Sequence, residues 1–316
     1  MAKSFASQGD LSEKKKSFVE LASGAYGYTA EGDPNSGVII GDDSVMVIEA
    51  QATPQMAEDV IAKIRSVTDK PIKYLVLTHY HAVRVLGASA YRADEIITSH
   101  KTWEMIEERG QQDWDSEFQR FPRLFRGHES IPGLTFPTIT FTEEMTVDLG
   151  NKKVEIKNLG EGHTRGDVIV WLPDDKVLFA GDLVEFGATP YCGDAQLKHW
   201  AGTLERLADL KPKALLPGRG EALTSELECL EAIKGTIDYT SMLYEQALIS
   251  VKEGDSLKSC YDRLMKSMSP KFGHWVIFEH CMPFNVKRAY DEANGIEHPE
   301  IWTDKKDLEM WNALNA

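Results

Sequence analysis

The sequence predicts an α/β layered fold with a C-terminal helical extension. Three observations carry the prediction. Short apolar segments alternate with helix-spaced ones over roughly the first hundred residues, strand-like segments return in close succession from residue 138, and beyond residue 225 the spacing is helical almost throughout. A chain of 316 residues, 42% hydrophobic and 27% charged, has ordinary globular composition and is long enough for one large domain or two small ones.

Residues 37–49 read as two short apolar strands around a Gly-Asp-Asp turn. Residues 53–67 have helical spacing, opened by Thr53 and Pro54, the latter suited to a first turn. Residues 72–77 form a short, mostly apolar strand that runs directly into Thr78-His79-Tyr80-His81. A helix from Gly87 and a strand at 95–98 continue the alternation. Residues 101–137 differ in character, mixing Trp103, Trp114, Phe118, Phe121 and Phe125 with several Arg and Glu. They read as an insertion of short helices, either a lid over a site or a decoration packed by its aromatics. Strands are expected at 138–141, 145–149, 153–158, 168–172, 177–180 and 214–216, with a helix at 199–210. Helices follow at 226–253, 256–266 and about 275–294. The division is therefore a body over 1–224 and a helical extension over 225–316.

Thirty-five basic against fifty acidic residues give a net charge of −15. That balance disfavours an extended phosphate-binding surface, so nucleic acid is not an expected partner. No run of about 18 apolar residues occurs, and no apolar stretch follows Lys14, Lys15 and Lys16, so neither a membrane span nor a signal peptide is expected. Cys192, Cys229, Cys260 and Cys281 are widely spaced without a CxxC and read as buried reduced thiols of a cytoplasmic protein. The helical C-terminus is long enough either to cover the core or to build a homo-oligomer.

The chemistry concentrates at strand ends. His79 and His81, two residues apart beyond a strand, can point the same way and chelate one metal. His163 lies in Gly162-His163-Thr164-Arg165-Gly166-Asp167 between two strands, and Asp182 follows another strand in Ala180-Gly181-Asp182. Small residues flank both, as expected where backbone approaches a metal or its water. Three imidazoles and a carboxylate suit zinc, or iron in a more open arrangement. His100, His128, His199 and His280 read as packing or surface residues, although the aromatic segments around His274 and His280 could wall a pocket. Tyr191 and Cys192 could line the cleft.

In their order, these motifs resemble the metallo-β-lactamase-fold superfamily, which carries Thr-His-x-His-x-Asp-His, Gly-His-Thr-x-Gly-Asp, Gly-Asp and Pro-Gly-His-Gly. The resemblance covers roughly residues 24–224 and implies a four-layer αβ/βα sandwich with a metal site at one edge. Carried over, it implies His79, His81 and His163 as ligands of a first metal and Asp182 as the carboxylate that binds or bridges toward a second. The chain departs from the pattern at Val83 and Arg84, in place of Asp-His, and at Arg219, in place of the last histidine. Arginine stays protonated and cannot ligate a metal, so a complete second metal site is not expected.

Arg84 and Arg219 are instead expected to fill the space of the missing cation. They would pair with Asp182 or Glu49, or clamp an anionic group of a small-molecule substrate. The expected function is metal-dependent hydrolysis, in which a single metal-bound hydroxide attacks an ester, lactone, thioester or amide. Asp182 would orient the water or act as a fourth metal ligand beside His79, His81 and His163, with Arg84 and Arg219 as catalytic and substrate-binding groups. The expected cofactor is one zinc ion, with iron as the alternative. Two other readings remain: a mononuclear iron oxygenase resembling the persulfide dioxygenases of this fold, and a degenerate site that binds a ligand without turnover.

Overall fold

The computed structural model describes residue 5 and residues 7–315. In chain order the elements are β1 (Ser17–Ala22), β2 (Ala25–Ala30), β3 (Asp33–Ile40), β4 (Val45–Ile48), α1 (Pro54–Arg65), β5 (Ile72–Val76), α2 (Ala82–Val85), α3 (Ala88–Tyr91), β6 (Glu95–Ser99) and α4 (His100–Arg120). They continue with β7 (Ile139–Phe141), β8 (Glu144–Asp148), β9 (Lys153–Lys157), β10 (Ile169–Leu172), β11 (Val177–Gly181), α5 (Leu197–Ala208) and β12 (Ala214–Pro217). Four helices close the chain: α6 (Glu226–Glu253), α7 (Leu257–Phe272), α8 (Phe278–Ala293) and α9 (Asp304–Asn315).

Two sheets form, ordered β1-β2-β3-β4-β5-β6-β7 and β12-β11-β10-β9-β8. The period-2 alternation of strand side chains sorts their residues into layers. Val38, Val45, Val47 and Leu75 face helices α1, α2 and α3, whereas Ile39, Met46, Ile48 and Val76 turn inward. There they meet Val170, Leu172, Val177 and Phe179 of the second sheet. Ile169, Trp171, Leu178 and Ala180, on that sheet's far side, pack under α5, α6, α7 and α8. The result is the expected αβ/βα sandwich, and the C-terminal helices share their core with the second sheet.

Local signals account for several boundaries. Thr53 Oγ1 accepts the Met56 N–H at 3.1 Å with Pro54 at the first helical position of α1. Ser225 caps α6, and Gly254, at φ +79°, ends it in the left-handed conformation open to glycine.

The segment expected to hold short helices is different. Residues 100–120 form one continuous 21-residue helix, α4, followed by single 3-10 turns at Pro122–Phe125 and His128–Ser130. Its buried positions include Arg109, Asp113, Ser116, Glu117 and Arg120. The spacing is helical, but the face turned inward is polar, so hydrophobic periodicity could not reveal it. The hairpin β1–β2 and helix α9 also lie outside the sequence expectations.

Candidate metal centre

The site lies where the ends of β5, β11 and β12 meet at one rim of the sandwich. Beyond β5 the chain stays extended through Leu77, whose N–H donates to Ile97 O at 2.9 Å, and then turns at His79 and His81. Thr78 O accepts the Val168 N–H at 2.9 Å, which ties this turn to the loop carrying His163. That second loop is closed by Asp167, which accepts from the Thr164 amide at 2.8 Å and the Thr164 hydroxyl at 2.6 Å.

His79, His81 and His163 are brought together. One nitrogen from each lies within 4.8 Å of the others, and the three residues are only 1%, 2% and 1% exposed. His81 Nδ1 and His163 Nε2 stand 2.9 Å apart. His79 Nδ1 is 3.0 Å from Thr78 Oγ1, while its Nε2 is buried without a hydrogen-bond partner among the described residues. A buried polar atom left without a partner is costly unless something else satisfies it. Burial holds His79 well below the usual imidazole range and lowers His163 to about 3, so both are neutral and have lone pairs to offer. Burial lowers His81 as well, but Asp113 and Asp194 outweigh it and raise the group to about 9, so this imidazole gives up its proton when an ion binds. With that proton released, the donor set fits a metal ion bound by three imidazoles.

His81 is oriented from behind. Its Nε2 lies 3.2 Å from Asp194 Oδ2, and the other Asp194 oxygen accepts from Arg109 Nη1 at 2.9 Å. Burial would raise the Asp194 carboxyl, but His81 and Arg109 outweigh it and hold the group at about 2. Helix α4 supports the same turn through Asp113 and Glu117, which accept the Ala82 and Val83 amides at 2.6 and 2.8 Å. Asp194, Arg109, Asp113 and Glu117 are not marked by any sequence motif. The usable signal was the helical spacing of charged residues along α4.

Asp182 borders the triad, its Oδ2 standing 3.7 Å from both His79 Nε2 and His163 Nε2. Arg84 Nη2 donates to Oδ1, and Arg219 Nη1 donates to Oδ2 at 3.0 Å. The arginines have further acidic neighbours. Arg84 Nε is 3.7 Å from Glu49 Oε2, and Arg219 Nη1 is 3.1 Å from Glu185 Oε1. Both arginines are buried, so the geometry is that of the ion-pair alternative, with the charged ends turned toward carboxylates. Burial pushes Asp182 up, but Arg84, Arg219, His79 and His163 together hold it well below the carboxylate range. Glu49 is raised to about 7 by burial, against the pull of Arg84.

Glycine makes this crowding feasible. A Cβ on Gly218 would stand 2.2 Å from Asp182 Oδ1, and one on Gly181, at φ +53°, would stand 2.4 Å from Thr78 Oγ1. The small residues thus give room to Asp182 and Thr78. Glu49 and Gln51 adopt left-handed φ values of 68° and 66°, a local strain typical of functional turns.

The remaining histidines scatter. His100 and His128 are exposed on α4 and the turn beyond it. His199 lies at a surface cleft with Arg165 and His298. His280 is buried against Phe121 at 4.2 Å between ring centres and is not part of the triad. Tyr191 does line the site, its ring 5.6 Å from His81. All four cysteines are buried and free.

Fold and site together define an αβ/βα sandwich protein with a cluster of three histidines that could hold a metal ion. The chain belongs to the metallo-beta-lactamase superfamily, whose family profile matches residues 29–219. The family typically binds metal, often zinc, and its members are mostly hydrolases. The chain is 23% identical over 203 residues to a metallo-beta-lactamase type 2 of Bacillus cereus, covering 61% of this chain and 70% of that protein. It is 18% identical over 249 residues to a linear primary-alkylsulfatase of a Pseudomonas species, covering 69% of this chain but only 47% of that protein. An acyl-coenzyme A thioesterase of Bos taurus is 28% identical over 166 residues, which is 48% of this chain and 57% of the relative. Among solved structures, a metallo-beta-lactamase from Pontibacter korlensis superposes with a TM-score of 0.57 at 21% identity, covering 72% of this chain and 99% of its own. That likeness concerns the fold.

Proposed function

We propose that the protein is a hydrolase that works with a single metal ion on a small molecule with a reactive carbonyl: an ester, lactone, thioester or amide. The observation that carries this reading is the contrast between two adjacent spaces. Three imidazoles converge with two buried nitrogens, His79 Nε2 and His163 Nδ1, unmatched among the described residues, while the neighbouring space around Asp182 is filled by Arg84 and Arg219. His79, His81 and His163 would hold the ion, preferably zinc, with Asp182 beside them. Such an ion lowers the pKa of bound water from ~15.7 toward ~7 and polarises a carbonyl oxygen.

The chain's own residues supply the rest. Asp182, kept ionised by the two arginines, accepts a hydrogen bond from the attacking water and sets its orientation. Arg84 and Arg219 act as positioning groups, and their charge offsets the negative charge that develops as the carbonyl is attacked. Asp194 fixes the tautomer of His81. Residues 1–224 form the metal-binding body, and 225–316 form the helical extension that completes its outer core. Four free buried thiols accord with a reducing, cytoplasmic setting. Among the described residues, no helix is long and apolar enough to cross a membrane.

The test is the metal content of protein purified anaerobically without a histidine tag, followed by an assay on esters, lactones and thioesters. One zinc per chain with hydrolysis supports the reading. Two metals per chain would overturn the single-ion account. One iron with oxygen uptake would replace it with an oxygenase, and no metal would leave a ligand-binding protein.

A further inference from the structure

Helix α4 ends in a second buried cation that the site described above does not use. Arg120 is 1% exposed, and Nε, Nη1 and Nη2 all lack a hydrogen-bond partner among the described residues. Its Cζ lies 4.6 Å from the centre of the Phe284 ring and 4.9 Å from that of Tyr191, so its π contacts are made while its N–H edge is unmatched. Asp307 of α9 comes no closer than 3.7 Å to Nε, and its Oδ2 already accepts from Ser116 Oγ. Two more orphaned atoms belong to neighbouring side chains. Tyr191 Oη and His280 Nε2 are buried, likewise without partners among the described residues. The Tyr191 ring also packs 5.6 Å from His81 and 6.5 Å from His163.

We propose that Arg120, Tyr191 and His280 form a subsite for a carboxylate group of the substrate, separated from the metal-binding histidines by the Tyr191 ring. The assignment deepens the hydrolase reading and rests on it for the position of the scissile carbonyl. A guanidinium edge matches the two oxygens of a carboxylate, and a phenol hydroxyl adds a neutral donor. A single cation with Asp307 nearby suits a monoanion and disfavours a phosphate dianion. The walls formed by Phe121, Tyr191 and Phe284 would exclude water and strengthen the pairing. The substrate class is therefore a carbonyl compound with a free carboxylate as well as the bond to be cut.

The experiment uses the full-length metal-loaded protein and two esters with the same leaving group, 4-nitrophenyl acetate and mono-4-nitrophenyl glutarate. The wild type is expected to favour the charged ester in kcat/KM by about 10- to 100-fold, and Arg120→Met to collapse that ratio without changing metal content. Arg120→Lys should restore part of it. A wild type without preference, or an unchanged ratio in Arg120→Met, overturns the subsite.

If neither ester is cleaved, the subsite is judged separately by calorimetry with glutarate, and the hydrolase reading by its own assay on lactones and thioesters. Binding that is lost in Arg120→Met supports it, and no binding overturns it. Inorganic phosphate or methanesulfonate binding more tightly than glutarate overturns the carboxylate assignment. Should Arg120→Met fail to fold, Tyr191→Phe decides: weaker glutarate binding at an undiminished melting temperature supports the subsite, and unchanged binding overturns it.

Discussion

Arg219 and the histidine cluster face one and the same oxygen of Asp182. Asp182 Oδ2 accepts from Arg219 Nη1 at 3.0 Å, and the same atom stands 3.7 Å from the facing nitrogens of His79 and His163. A fixed side-chain cation therefore presses on this oxygen from one side, and the imidazole cluster lies on the other. The ionisation of Asp182, and its orientation toward the cluster, depend on arginines buried with it.

Removing one of those charges should be felt by the whole fold. Arg219→Met leaves Glu185 buried without its cation and Asp182 with Arg84 alone, and is expected to cost about 3–5 kcal/mol of stability. Urea denaturation measures it. A loss below about 1 kcal/mol would mean that Arg84 alone balances the cluster.

The arginines stand where the resemblance places ligands of a second metal, so that site should be recoverable. The triple variant Val83→Asp, Arg84→His, Arg219→His is expected to take up two metal ions per chain where the wild type takes one. Elemental analysis after dialysis reads this directly. A variant that folds and still binds one would show that the arginines are not in the second site's place.

Asp194 tests the outer support of the triad. Asp194→Asn keeps the shape but loses the charge that holds His81, and metal affinity is expected to fall about 10- to 100-fold. Competition with a coloured chelator reads the change. Unaltered affinity would reduce Asp194 to a partner of Arg109.

His280 gives a pH prediction with a definite sign. Burial, with Arg120 and Arg219 nearby, holds its folded-state pKa well below 6.5. Above about pH 6.5 it is neutral folded and unfolded, and contributes no pH dependence. As pH falls below that, the unfolded chain takes up a proton that the folded chain refuses, and stability drops by up to about 1.4 kcal/mol per pH unit. His280→Phe, placed between Phe121 and Phe284, removes this loss. The melting-temperature difference, variant minus wild type, should therefore grow more positive from pH 7 to pH 5. A constant difference would contradict it.

The legibility of the sequence follows from what each element buries. Strands β3 to β5 and β10 to β12 could be read because apolar side chains fill both their faces, and β8 and β9 because apolar and polar residues alternate along them. His79, His81, His163 and Asp182 could be read because each sits just beyond a strand or in a glycine-marked loop. The β1–β2 hairpin is half-buried and broken by Ser23 and Gly24, so its pattern is faint. Helix α9 does carry a helical spacing in Asp307, Met310, Trp311 and Leu314, but its first buried position is an acid. Helix α4 was the least legible, because Arg109, Asp113 and Glu117 are buried by pairing with groups that only the fold brings near.

Helix α4 backs the imidazoles through Asp194, Asp113 and Glu117 and is fastened to α9 where Asp307 receives Ser116 and faces Arg120. With the three histidines at most 2% exposed, the protein must open before an ion can reach them or leave. An ion once captured is imprisoned as much as it is bound. Its escape to an external chelator should run at a rate that stops rising with chelator concentration, because the slow event is the opening of the protein around the buried imidazoles. The same clock would then govern how fast each reactant molecule is admitted.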